Sequence, residues 1–145
     1  MTLRMDHVSI VVADLEAAVA FFAELGMELE GRAPIEGRSA ERVNGFDDLR
    51  AEIAMMRTLD GHGKLELTKF HAPAAISADP DPAPSNTLGI RSIMFEVDDV
   101  EDAVARLRPH GAELVGEIAR YEDAYLLCYV RGPQGIIVAL AEKLR

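Results

Sequence analysis

The chain holds a single cysteine and no tryptophan, and its positive charge is scarce: 15 lysines and arginines face 25 aspartates and glutamates. A lone thiol cannot close an internal disulfide, so the fold must rest on an apolar core. Cys128 stands in the run Leu126-Leu127-Cys128-Tyr129-Val130, where a buried, inert thiol is expected. The net charge of −10 repels phosphate backbones and anionic lipid heads, which argues against nucleic-acid and membrane-surface partners. No run is long enough to span a bilayer as a helix. Asp6 and His7 interrupt the first residues before a leader's apolar stretch develops, so a cytoplasmic location is expected. The P-loop, the dinucleotide fingerprint, the HExxH zinc helix and the nucleophile elbow are all missing.

What is present is an ordinary globular balance, 49% hydrophobic and 28% charged, in 145 residues, enough for one domain or two small modules. Sliding the sequence by 85 positions lays one half on the other without a gap. Asp14-Leu15-Glu16-Ala17-Ala18-Val19-Ala20 falls on Asp99-Val100-Glu101-Asp102-Ala103-Val104-Ala105. Gly26, Glu28, Leu29 and Gly31 fall on Gly111, Glu113, Leu114 and Gly116. The chain therefore reads as one unit written twice.

Each unit opens with a strand, His7 to Val12 and Ser92 to Val97, followed by an aspartate placed to cap a helix. Leu15, Ala18, Val19, Phe22 and Leu25 form an apolar stripe at helical spacing, as do Val100, Ala103, Val104 and Leu107. Gly26 and Gly111 lie where these helices should end, and Pro109 helps stop the second. Three more strands are expected in each unit, near Met27–Ile35, Arg50–Arg57 and Lys64–Phe70, then near Ala112–Arg120, Ala124–Arg131 and Ile136–Ala141. Asp60-Gly61-His62-Gly63 and Gly132-Pro133-Gln134-Gly135 are turn signals. Ser39 to Asn44 is expected to add a short helical turn. The resulting reading is α+β, with a βαβββ module at 1–71, a linker at 72–89 and a second module at 90–145, the strands forming a curved mixed sheet with helices on its outer face.

Strand alternation separates two environments. Leu65 and Leu67 oppose Lys64, Glu66 and Thr68. Ile93, Phe95 and Val97 oppose Ser92, Met94 and Glu96, while Leu126, Cys128 and Val130 oppose Tyr125, Leu127, Tyr129 and Arg131. The uniformly apolar set should pack beneath the helices. The mixed set, with His7, Ser9, Glu66, Thr68, Ser92, Met94, Tyr125 and Tyr129, is the expected ligand-binding wall. One of Met55 and Met56 must join it. His62, His71, His110 and Arg57 are expected at turns or element ends, in solvent.

The opening Met5-Asp6-His7-Val8-Ser9-Ile10-Val11-Val12-Ala13-Asp14-Leu15, its counterpart Leu88 to Val100, and Arg131-Gly132-Pro133-Gln134-Gly135 resemble the vicinal oxygen chelate superfamily. That superfamily contains glyoxalases, bleomycin-resistance proteins and extradiol dioxygenases, and the resemblance covers essentially the whole chain. It implies tandem βαβββ modules and, in metal-dependent members, ligands from the first and last strands of each module. Carried over by position, the first module supplies His7 and Glu66. The second presents Ser92 where a histidine is expected and Ala139 where a glutamate is expected, and Gly132 replaces an aspartate of the terminal turn. Glu96, on the face of Ser92, is the candidate third ligand.

Three activities follow from the resemblance. The first is a small-molecule binder or sequestering protein without a complete metal site, using Tyr125 and Tyr129 to stack and Glu66 or Glu96 to attract a cation. The second is a lyase, isomerase or dioxygenase using Zn, Ni, Fe or Mn. The third is a metal-free enzyme in which Glu66 or His7 is the base. The missing ligands favour the first, with no cofactor. A homodimer is the expected assembly.

Overall fold

The computed structural model describes residues 2–145, which form two compact units dividing between Ile76 and Ser77. The first contains β1 (Val8–Val11), α1 (Leu15–Leu25), β2 (Glu28–Glu36), α2 (Arg38–Asn44), β3 (Arg50–Arg57) and β4 (Lys64–Ala72). Its sheet has the order β1-β4-β3-β2. The pairing of β1 with β4 is parallel and the other two are antiparallel, so the sheet is mixed.

The second unit contains β5 (Ser92–Glu96), α3 (Val100–Leu107), β6 (Glu113–Leu114), β7 (Ala119–Tyr121), β8 (Tyr125–Arg131) and β9 (Ile137–Lys143). Its sheet runs β5-β9-β8-β6, with β7 also on β8, and again only the β5–β9 pair is parallel. The architecture is thus α+β with the βαβββ plan repeated, each unit carrying its own mixed sheet. The strand expected near 112–120 is interrupted, because the chain bends at Val115-Gly116 and leaves the short pieces β6 and β7. A glycine there has no side chain to pack, which weakens strand continuity.

The aspartates cap the helices as their spacing requires. Asp14 Oδ1 accepts from the Ala17 amide at 3.0 Å and Asp99 Oδ1 from the Asp102 amide at 2.9 Å, satisfying first-turn donors that lack a helical partner. α1 ends at Gly26, whose φ of 127° no larger residue adopts without strain. Leu15, Ala18, Phe21, Phe22 and Leu25 of α1 are buried, together with Ile10, Ala54, Met56, Leu65 and Leu67 from the sheet. Phe21 and Phe22 meet edge to face at 5.1 Å. The second core pairs Val100, Ala103, Val104 and Leu107 with Cys128, Val130, Val138 and Leu140. Burial pushes the Cys128 thiol above its ordinary pKa, so little thiolate is present near neutrality.

Two measurements check this core. Phe22→Ala should cost about 3–5 kcal/mol in urea unfolding, whereas Val43→Ser, at a side chain 87% exposed on α2, should stay within about 0.5 kcal/mol. Ellman's reagent should react slowly with Cys128 in the native protein and rapidly once urea opens the second unit.

Candidate functional site

The open face of the first sheet is fixed by pairing register. Val8 lies beside Leu65, Ser9 beside Glu66, Ile10 beside Leu67 and Val11 beside Thr68. Ile10, Leu65 and Leu67 are buried under α1, so Ser9, Val11, Glu66 and Thr68 project from the opposite side. Antiparallel pairing sets Met55 beside Glu66 and Ile53 beside Thr68, which adds both to this face. Met56 is the methionine sealed in the core, and Met55 the one that reaches the open side.

Four of the expected residues meet here. Ser9 Oγ donates to Glu66 Oε1 at 3.1 Å, and Thr68 Oγ1 donates to the same oxygen at 3.2 Å. The two hydroxyls are 3.3 Å apart. His7 Nε2 lies 3.5 Å from the other carboxylate oxygen, Oε2. Thr68 is buried, and the Glu66 side chain is 23% exposed, so this carboxylate is partly desolvated and held in one orientation.

Asp6, which the sequence pattern did not single out, completes the arrangement from behind. Its Oδ2 is 2.7 Å from His7 Nδ1, and this hydrogen bond holds the Asp6 carboxyl below its usual range. An ionised carboxylate only accepts, so Nδ1 is the donor, and the ring is turned with Nε2 toward Glu66. Adjacency in sequence was the available signal: an acid beside the candidate imidazole.

Two phenylalanines of this unit carry no such signal in the sequence. Phe70 lies two and four positions beyond Thr68 and Glu66 on β4 and shares their face. Phe46, from the loop after α2, meets it edge to face at 6.2 Å. Toward the other end of β4, Arg57 pairs with Glu28 at 3.0 Å and Lys64 with Glu30 at 3.4 Å. Arg57 ends β3 with its side chain reaching solvent, as expected, and is held there in an ion pair. His71 likewise pairs with Glu52 at 3.3 Å.

In the second unit Ser92, Met94 and Glu96 alternate with Ile93 and Phe95, and the first three are the exposed set. Tyr125 and Tyr129 are exposed on β8, while Cys128 and Val130 are buried. Met94 and Tyr129 flank Ala139 on neighbouring strands, so the three share one face. Glu96, the candidate third ligand, lies 3.4 Å from Lys143. Each unit's expected wall residues thus stand on the face away from its helix.

Neither unit alone offers three metal donors at these positions: the first has His7 and Glu66, and the second has Ser92 and Ala139 in their place. Among the described residues, no three His, Cys, Asp or Glu side chains converge as a metal set. The surface also has an open hollow of about 300 Å³ lined by Leu15, Arg32, Ala33, Pro34, Glu52 and Ile53. A second, of about 690 Å³, is lined by residues including Glu96, Asp98, Glu142 and Lys143. His7, Ser9, Glu66 and Thr68 line neither of these two hollows.

A repeated βαβββ unit with a histidine and a glutamate at the first and last strands of one copy defines a recognisable class. The pattern of the Glyoxalase/Bleomycin resistance protein/Dioxygenase superfamily matches residues 4–140, and the chain belongs to that superfamily. A glyoxalase-family protein of Bacillus cereus, known from its crystal structure, is 52% identical, with a TM-score of 0.94 over 100% of this chain and 97% of that one. The trypanothione-dependent glyoxalase I of Leishmania major shares the fold, at 21% identity and a TM-score of 0.66, over 97% of this chain and 87% of that one. YaeR of Escherichia coli strain K12 is 27% identical over 111 residues, 76% of this chain and 73% of YaeR.

The buried hydroxyl of the cluster should matter more to stability than the exposed one. Thr68→Val removes a donor from a partly desolvated carboxylate and should cost about 1–2 kcal/mol. Ser9→Ala should cost about 0.5 kcal/mol or less, because water reaches that position. Urea unfolding of both variants tests the difference.

Proposed function

We propose that the protein is a small-molecule-binding member of its superfamily, acting without a complete metal site. The observation that carries this reading is the state of Glu66. Its carboxylate is fixed by Ser9 and Thr68, faces His7, and stands beside the apolar Met55 and Ile53 on an open sheet face. Ligand sites combine apolar area with a few oriented polar groups, and this wall has both. On the second unit Met94, Tyr125 and Tyr129 supply exposed apolar and aromatic surface for the same purpose.

The donor set does not fit a closed metal centre. Catalytic zinc sites keep three protein ligands, and a serine hydroxyl or an alanine methyl replaces neither imidazole nor carboxylate. Glu96 beside Lys143 is already charge-paired. Together these features favour binding or sequestration over metal-assisted turnover. We further propose a cytoplasmic homodimer. The exposed Leu3, Met5, Leu88 and Ile90 offer apolar surface to a second copy of the chain. Among the described residues, no helix is long and apolar enough to cross a membrane.

One observation favours a second reading, a metal-dependent lyase, isomerase or dioxygenase. Asp6 orients His7 through Nδ1, much as outer carboxylates orient metal-bound histidines. Titrating zinc or nickel into protein purified without added metal separates the two readings. Weak, non-stoichiometric binding is expected, rising about tenfold or more in Ser92→His/Ala139→Glu. Tight one-to-one binding by the unmodified chain, abolished by His7→Ala, would falsify the metal-free reading.

A further inference from the structure

Charges on the open face of the first sheet are unevenly matched. Both of the cations named there are taken: Arg57 by Glu28 at 3.0 Å and Lys64 by Glu30 at 3.4 Å. Glu66 is the carboxylate that meets no lysine or arginine in this cluster; two hydroxyls donate to Oε1, and Oε2 looks toward His7 Nε2 across 3.5 Å. The His7 proton on Nδ1 is committed to Asp6. Oε2 receives neither hydroxyl, which leaves it the acceptor for a donor supplied from outside.

The rest of the face is apolar and leads away from that oxygen. Val11, 46% exposed, stands beside Thr68, with Ile53 on the other side. Phe70 and Phe46 close the far end, and Phe46 is 43% exposed. Phe70 lies four steps along β4 from Glu66, a span of about 13 Å. α2, immediately before the Phe46 loop, buries no residue and is flanked by Gly37 and Gly45.

We propose that this face selects an amphipathic small molecule, with a protonated amine seated on Oε2 of Glu66 beside His7 and an aryl or branched aliphatic tail lying along Val11 and Ile53 to Phe46 and Phe70. The inference rests on the reading of this face as a ligand wall and gives that ligand a chemical class. The net charge of −10 favours a cation, and the Glu66 carboxylate repels an anionic head. Asp6 acts as a positioning residue, holding the imidazole beside the Glu66 carboxylate that receives the head group.

Three probes test the proposal: 4-phenylbutylamine, butylamine and 4-phenylbutyrate, followed by calorimetry and by amide NMR shifts. The phenylamine should bind at least tenfold more tightly than either of the others. Glu66→Gln should weaken both amines about tenfold. Phe46→Ala should reduce the phenylamine to the affinity of butylamine while leaving butylamine unchanged, and Asp6→Asn should weaken both amines several-fold without lowering the melting temperature. Because Phe46 is partly exposed, its variant should fold; Phe46→Leu, which keeps apolar bulk, should restore part of the loss. Equal binding of the two amines, both still dependent on Glu66, overturns the aromatic tail site but leaves the ligand wall standing. Preference for the phenylbutyrate overturns the amine head. If none of the probes shifts residues around His7 and Glu66, the ligand wall itself falls. A Phe46→Ala protein that changes its sedimentation mass but not its probe preference would show that a second copy covers this end, and that too overturns the proposal.

Discussion

The parallel pairing of β1 with β4 is the constraint on which the first unit's chemistry depends. With Ser9 beside Glu66, the alternation of both strands sends Ile10, Leu65 and Leu67 beneath α1 and Glu66 and Thr68 to the open side. A slip of one residue in β4 would exchange these sets, pressing a carboxylate against Phe21 and Phe22 and turning two leucines into water. The cost of burying an unpaired carboxylate greatly exceeds that of exposing a leucine, so the core enforces the register and the register positions the site. Packing under α1 and polar geometry on the far face are therefore one specification.

The second unit repeats that specification without repeating its chemistry. Met94 lies beside Ala139 as Ser9 lies beside Glu66, and Asp99 caps α3 as Asp14 caps α1. The caps, the parallel pair and the buried helix stripe are what a βαβββ unit needs to fold. The residues on the open face are not, and they have diverged from histidine, serine and glutamate to serine, methionine and alanine. A fold of this kind fixes where groups stand and leaves open which groups they are.

That separation decides what was legible in the sequence. The caps, the helix stripes and the repeat register directly as local periodicity, and the repeat itself marked the fold. The two sides of β4 and β8 were equally open to reading, since alternation is a local rule. Other features needed tertiary contact. Phe46 meets Phe70 only because the chain returns from α2 across the sheet, and no spacing rule reports that approach. Arg57 is the solvent-facing strand end that its position implies, but its pairing with Glu28 on a neighbouring strand is not written in local spacing. The bend at Val115-Gly116 splits a run whose composition still favours a strand. Asp6 was visible as a letter beside His7, but its role depends on a rotamer that places Oδ2 on Nδ1.

Glu66 joins these strands of the argument. A carboxylate on an exposed sheet face is ordinary, but such a group is usually met by a lysine or arginine on a neighbouring strand, as Glu28 and Glu30 are here. Around Glu66 the neighbours are Ser9, Thr68 and Met55, which fix its orientation without neutralising it. Two hydroxyl donors on one oxygen hold the group still, and a partly dry setting strengthens whatever meets the other. A carboxylate used only for solubility needs neither feature, because a mobile, hydrated side chain serves as well. The positioning of Glu66 is what a binding group requires: orientation fixed in advance, and one oxygen left without a hydroxyl donor, facing an imidazole rather than a lysine or arginine.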